Sequence, residues 1–248
     1  MTQDGQTDPS GAQAIAERAP ARAAHAEDWA DARALIDGLD GGVNIAHEAL
    51  DRHVAQGHGG QVALRWLGRD GERRDLSYAE MAEQAARFAS VLADHGLGKG
   101  ASVFVLMGRV PELYAAALGT LKAGMVFTPL FSAFGPEPIR TRMEIGAANV
   151  LVTTASIYRR KIAAWRDEIP SLKLVLIVGD EAPADCVALG PALAEASPAF
   201  ETVRTRPEDP ALIHFTSGTT GKPKGAVHVH EAVVYHAFSG RTALGLEP

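Results

Sequence analysis

The sequence predicts an α/β protein: a parallel sheet covered on both faces by helices. Three observations predict it. Short strand candidates that are apolar along their whole length recur between residues 102 and 178. Amphipathic helical stretches separate them, and the connections are too long for hairpins. Finally, the apolar share of 46% over 248 residues is ample for a buried core.

The elements follow in order. Val62 to Leu67 and Arg73 to Ser77 are two strand candidates around Gly68 to Gly71, which predicts a hairpin. Ser77 and Glu80 have capping-box spacing, and Met81, Ala85, Phe88, Ala89 and Leu92 follow at helical intervals as far as Gly96. The alternating part then reads strand Ser102 to Met107, helix Pro111 to Lys122, strand Met125 to Leu130, helix Pro138 to Ile145 and strand Val150 to Thr153. A helix over Ser156 to Glu168 and a strand over Leu172 to Val178 complete it.

Four segments are expected: a disordered leader at 1–24, an α/β subdomain at 25–178, a linker or surface excursion at 179–210 with a short helix near Pro191 to Glu195, and the start of a second subdomain at 211–248.

Composition excludes several classes. Asp plus Glu (30) outnumber Lys plus Arg (24), so no broad basic surface for nucleic acid is available. The apolar runs fall far short of the roughly 20 residues of a membrane-spanning helix. Cys186 stands alone, so no internal disulfide forms and a cytoplasmic location is expected. No metal site is expected: His228 and His230 alternate along a strand candidate, and a metal requires three or four ligands. Both are read as structural.

The chemistry lies in TSGTTGKPKG, Thr216 to Gly225, between strand candidates Ala211 to Phe215 and Ala226 to His230. Hydroxyls on Thr216, Ser217, Thr219 and Thr220 stand beside Gly218, Gly221 and Gly225, with Lys222 and Lys224 as point charges. Close backbone N–H groups, hydroxyl donors and compact ammoniums are what a polyphosphate needs. The spacing is not that of a Walker A loop, because only Thr219 and Thr220 lie between Gly218 and Gly221.

The ten residues resemble, position by position, the phosphate-loop signature of the adenylate-forming acyl-CoA synthetases. HFTSGTTGKPKGAVHVHEAV is most similar to the acetyl-CoA synthetases, and Val43 to His53 (VNIAHEALDRH), Arg109 to Tyr114 (RVPELY) and Leu130 to Ile139 (LFSAFGPEPI) extend the similarity upstream. The resemblance implies a partial N-terminal domain of that fold. It implies a reaction in which a small carboxylate attacks ATP to give acyl-AMP, after which CoA displaces AMP, with ATP, Mg2+ and CoA as the small molecules required.

Lys224 would stabilise the leaving pyrophosphate, with Thr216 to Lys222 and Gly225 holding the phosphates. Arg159 and Arg160, beside Lys161, fall where some members hold a CoA phosphate, although a charge run on a helix is usually its solvated face. Phe131 and Phe134 read as core. The family's adenine, ribose and C-terminal lysine motifs find no match after Gly225, so no catalytic set is complete in this chain, and the rest of the same enzyme is the expected partner. Two other readings stay open: an aryl- or longer-acyl-CoA ligase or peptide-synthetase adenylation domain, and a non-catalytic nucleotide-binding or scaffold fragment.

Overall fold

The computed structural model describes residues 29–217 and 223–246. The expected leader, 1–24, lies outside them. The chain divides into two units, one of residues 38–231 and one that joins residues up to Asp37 with those from Ala232. In the second, helix α1 (Trp29–Arg33) packs on helix α7 (Ala232–Leu244).

The larger unit opens with two π-helical turns, His47–Asp51 and Val54–His58, the second holding Gly57 at φ 87°. Strands β1 (Val62–Leu67) and β2 (Arg73–Ser77) form the predicted antiparallel hairpin as a sheet of their own. Helix α2 (Tyr78–Asp94) starts at the capping box. The Ser77 hydroxyl accepts from the Glu80 N–H at 3.2 Å, and the Glu80 carboxylate accepts from the Ser77 N–H at 2.7 Å. The Gly96 N–H closes the other end onto the Ala93 carbonyl.

The main sheet has seven strands: β3 (Ser102–Leu106), β4 (Val126–Pro129), β5 (Val150–Thr154), β6 (Leu174–Val178), β7 (Val187–Ala188), β8 (Pro210–Ser217) and β9 (Pro223–Val229). Their order is β7-β6-β5-β3-β4-β8-β9, parallel except that β9 runs against β8. Helices α3 (Pro111–Lys122), α4 (Pro136–Ile145), α5 (Ala155–Lys161) and α6 (Leu189–Glu195) connect them.

Alternate residues of each strand enter different cores, as pleating requires. Val103, Val105, Val150, Val152 and Leu176 pack with Phe88, Leu92 and Leu121 on one face. Phe104, Leu106, Leu151, Val175 and Ile177 pack with Ile139, Met143, Tyr158, Ile162 and Trp165 on the other.

Three expectations need correction. Residues 179–210, expected as a linker or surface excursion, carry β7 as well as the short helix expected near Pro191 to Glu195, here α6, and β8 lies beside β4 in the same sheet. The helix expected to run to Glu168 stops at Lys161. There the Ala163 N–H reaches back to the Tyr158 carbonyl at 3.0 Å, opening the turn so that Ile162 and Trp165 enter the second core. The strands around Thr216 to Gly225 are also longer than expected, as described below.

Helices α2 and α3 touch at Gly119, where an added Cβ would sit 2.6 Å from the Ala85 carbonyl oxygen and 2.8 Å from Phe88 Cβ. Gly119→Ala is therefore expected to lower stability by about 1–3 kcal/mol, even though alanine is the better helix former. Denaturant midpoints check this, and an unchanged or raised midpoint would show that the helices part freely.

The strand order also positions the site. From β3 the chain steps to β4 on one side and then crosses to β5 on the other, with α3 in one core and α4 in the opposite one. The carboxyl ends of β3 and β5 thus form a topological switch point, where open α/β sheets bind ligands. Strand β8 runs parallel to β4, so its own carboxyl end, Phe215–Ser217, lies at the same end of the sheet.

Candidate functional site

Strands β8 and β9 form an antiparallel ladder that continues past the boundaries expected for the loop: Thr216 pairs with Lys224, Phe215 with Gly225 and Ser217 with Pro223. The expected strand ends at Phe215 and Ala226 are corrected to Ser217 and Pro223. Gly218, Thr219, Thr220, Gly221 and Lys222 connect the two strands and lie outside the described residues.

Thr216 and Lys224 are exposed at the end of this ladder, side by side across the pair, so a hydroxyl and an ammonium flank the turn. Gly225 has a packing reason as well: a Cβ there would lie 3.1 Å from Ile213 Cγ2 and 3.4 Å from Phe215 Cε1.

The loop after β4 borders the same end of the sheet. Its Phe131 is 64% exposed, which corrects the expectation of a core residue, and it meets Phe134 edge to face with centroids 5.4 Å apart. Lys161 ties this loop down by donating to the Ser132 carbonyl at 2.8 Å and the Phe134 carbonyl at 2.6 Å. Lys161 is therefore a structural residue. Arg159 and Arg160 are exposed at the end of α5, and Arg160 Nε donates to the Ser156 carbonyl at 3.1 Å.

The loop after β3 is held from the hairpin: the Trp66 indole N–H donates to the Arg109 carbonyl at 2.8 Å. Sequence reading missed this link and also the placement of Arg142, a buried arginine near Phe134 and Phe215. No local pattern marks either one, because both depend on elements distant in sequence.

At the other end of the strands the VNIAHEALDRH segment is scaffolding. Asn44 Nδ2 donates to the Leu121 and Val203 carbonyls, both at 2.9 Å, and Asn44 Oδ1 accepts from the Ala46 N–H at 2.9 Å. Lys122 donates to Asp51 and, at 2.7 Å, to Thr202.

His228 is exposed, with its ring 5.9 Å from that of His214. His230 is fully buried, and its Nδ1 accepts from the Ile45 N–H at 3.2 Å. Among the described residues no cluster of His, Cys, Asp or Glu is placed to hold a metal.

Burial draws the His230 pKa from its ordinary 6.5 down to about 4, with nearby Asp209 opposing and Lys99 reinforcing the shift. Asp209, held at about 2 chiefly by its bond to Lys99, stays ionised throughout that window. Between pH 6.5 and 4 the unfolded chain takes a proton that the native ring excludes. His230 thus contributes its full stability above pH 6.5 and loses it as the pH falls. The expected loss is about 3 kcal/mol. Denaturation at pH 7 and pH 4.5 should show it in the wild type and not in His230→Gln, and equal pH slopes would refute the assignment.

The site thus stands at the carboxyl end of a parallel sheet with one antiparallel edge strand, where β8 and β9 lead into the Gly/Thr/Lys segment. The chain belongs to the AMP-binding enzyme family, whose sequence profile matches residues 50–247.

It is 36% identical over 225 residues to the acetyl-coenzyme A synthetase of Bacillus subtilis, covering 89% of this chain and 38% of that protein. It is 33% identical over 209 residues to the 3-hydroxybenzoate/4-hydroxybenzoate CoA ligase of Thauera aromatica, covering 83% of this chain and 38% of the relative. The crystal structure of a Brucella canis acyl-CoA synthetase superposes with a TM-score of 0.80 at 32% identity, over 89% of this chain and 40% of that one. An anthranilate CoA ligase in complex with anthranoyl-AMP shares the fold, with a TM-score of 0.70 at 20% identity, over 82% of this chain and 36% of that one. The chain thus spans about two fifths of the length of these relatives.

Proposed function

We propose that the chain is the phosphate-binding part of an AMP-forming acyl-CoA synthetase that activates a short carboxylic acid, acetate first among them, as acyl-AMP and then acyl-CoA. The observation that carries this reading is the pairing of Thr216 with Lys224 at the carboxyl end of the sheet, flanking the Gly/Thr/Lys turn.

The donor set of hydroxyl, backbone N–H and ammonium fits phosphate oxygens rather than a metal ion, so the Mg2+ that accompanies ATP would ride on the phosphates themselves. As the carboxylate attacks the α-phosphorus, negative charge gathers on the departing pyrophosphate. Donors already aimed there lower the barrier as well as hold ATP. The two exposed guanidiniums of Arg159 and Arg160 remain the candidates for a CoA phosphate. A cytoplasmic setting suits the unpaired Cys186.

Calorimetric titration of ATP tests the reading: uptake that Lys224→Ala weakens supports it, and no uptake sinks it. The hydroxybenzoate CoA ligase relative favours a second reading, activation of an aromatic acid. ATP–pyrophosphate exchange by the complete enzyme, with acetate against benzoate, separates the two.

A further inference from the structure

A cavity of about 490 Å³ opens within the unit of residues 38–231, away from the phosphate turn. Its walls are the end of α3, just before β4, the stretch just before β8, and parts of residues 39–51, so it lies at the amino ends of these parallel strands. The floor is a closed triad. The Lys122 ammonium, 6% exposed, donates to Asp51 Oδ1 at 2.8 Å, Asp51 Oδ2 at 2.7 Å and Thr202 Oγ1 at 2.7 Å, and the Thr202 hydroxyl donates to Asp51 Oδ2 at 2.5 Å. All three ammonium donors are spent there, so the floor is neutral and recognition falls to the rim.

The rim carries charge of both signs. Asp40, Glu201 and Arg204 are exposed there, and among the described residues no ion pair engages any of them. Local structure sets their places. Asp40 and Gly41 are the central residues of a tight turn and both have positive φ, 48° and 76°, the type I′ pattern. The Leu39 N–H donates to the Gly42 carbonyl at 3.1 Å and the Gly42 N–H to the Leu39 carbonyl at 2.8 Å, which closes it. Arg204 lies along this turn: a Cβ on Gly42 would stand 3.1 Å from its Cγ, and one on Gly41 3.6 Å from its Nη2. A guanidinium is thereby held beside a turn that bears a carboxylate, without an ion pair between them.

We infer that this cavity binds a small zwitterion with one further cationic group, a basic amino acid such as lysine, its carboxylate on Arg204 and its two ammoniums on Asp40 and Glu201. The charges select this class. Two unpaired carboxylates face one guanidinium, so a ligand with one negative and two positive groups leaves none unmatched. Leu39 and Val203, also in the lining, suit a methylene stem, and the volume is that of a small-molecule site. The inference is independent of the phosphate reading.

Calorimetry and thermal shift compare three probes on the wild type: lysine, norleucine, which lacks the side-chain ammonium, and 1,5-diaminopentane, which lacks the carboxylate. Lysine should bind at least about fivefold more tightly than either, the scale of one exposed ion pair. Added salt should shrink that preference. Arg204→Gln should bind lysine and 1,5-diaminopentane equally. Glu201→Gln and Asp40→Asn, the latter suited to the same turn, should each bring lysine and norleucine together.

A wild type that takes up none of the three probes would overturn the assignment, as would variants that keep the wild-type preferences. Equal binding of lysine and 1,5-diaminopentane by the wild type would also overturn it, because Arg204 would then have no part. The three rim residues are exposed, so the variants should unfold at the wild-type temperature without ligand. ATP uptake unchanged in all three variants keeps this result separate from that of the phosphate turn.

Discussion

Asn44→Ala is expected to cost about 3–5 kcal/mol of folding stability. Truncation leaves the Val203 carbonyl and the Ala46 N–H without the partners they have now, and takes one donor from the Leu121 carbonyl at the end of α3. Asn44 is fully buried, so water does not replace the lost bonds, and each orphaned group costs about 1–3 kcal/mol. Asn44→Asp separates the two roles of the side chain. It keeps the acceptor for Ala46 and turns the donor into a second acceptor facing two carbonyls, so it should destabilise about as much as alanine. Denaturant unfolding of both variants decides it. A loss below about 1 kcal/mol in both would mean that the segment is not held by this side chain.

Lys224→Ala is expected to slow ATP–pyrophosphate exchange of the complete enzyme by about 100-fold, the usual effect of removing one preorganised charge partner. The residue stands across from Thr216 at the mouth of the turn and is exposed, so folding stability should barely change. Lys224→Arg should recover much of the rate if charge is the contribution. An exchange rate in Lys224→Ala within about threefold of wild type would move the leaving-group role to another residue, with Lys222 the nearest ammonium in sequence.

Local order was legible where local rules decide it. The capping box at Ser77 and Glu80 set the start of α2, Pro111 set the start of α3, and the uniformly apolar strands between Ser102 and Val178 pointed to the parallel sheet. The phosphate loop was legible as a motif, yet its limits were not. The ladder between Phe215 and Gly225 is stabilised by a cross-strand ring over a glycine, which no single-strand pattern contains. The break after Lys161 was hidden because Tyr158, Ile162, Trp165 and Ile169 keep a helical spacing while serving a different backbone. The VNIAHEALDRH resemblance marks a structural lock, since its Asn44 and Asp51 are committed to backbone and to Lys122. Arg142 was invisible because Phe215, one of the two rings it faces, belongs to a strand far from it in sequence.

The two margins of the main sheet differ in a way that bears on handling the protein. β7 offers only two residues, too few to template another strand, whereas β9 is seven residues long and largely exposed, Val227 among them. Among the described residues, lateral growth of the sheet is thus open in one direction only. Concentrated samples should self-associate through β9, and a charge introduced at Val227 is the simplest gatekeeper against it.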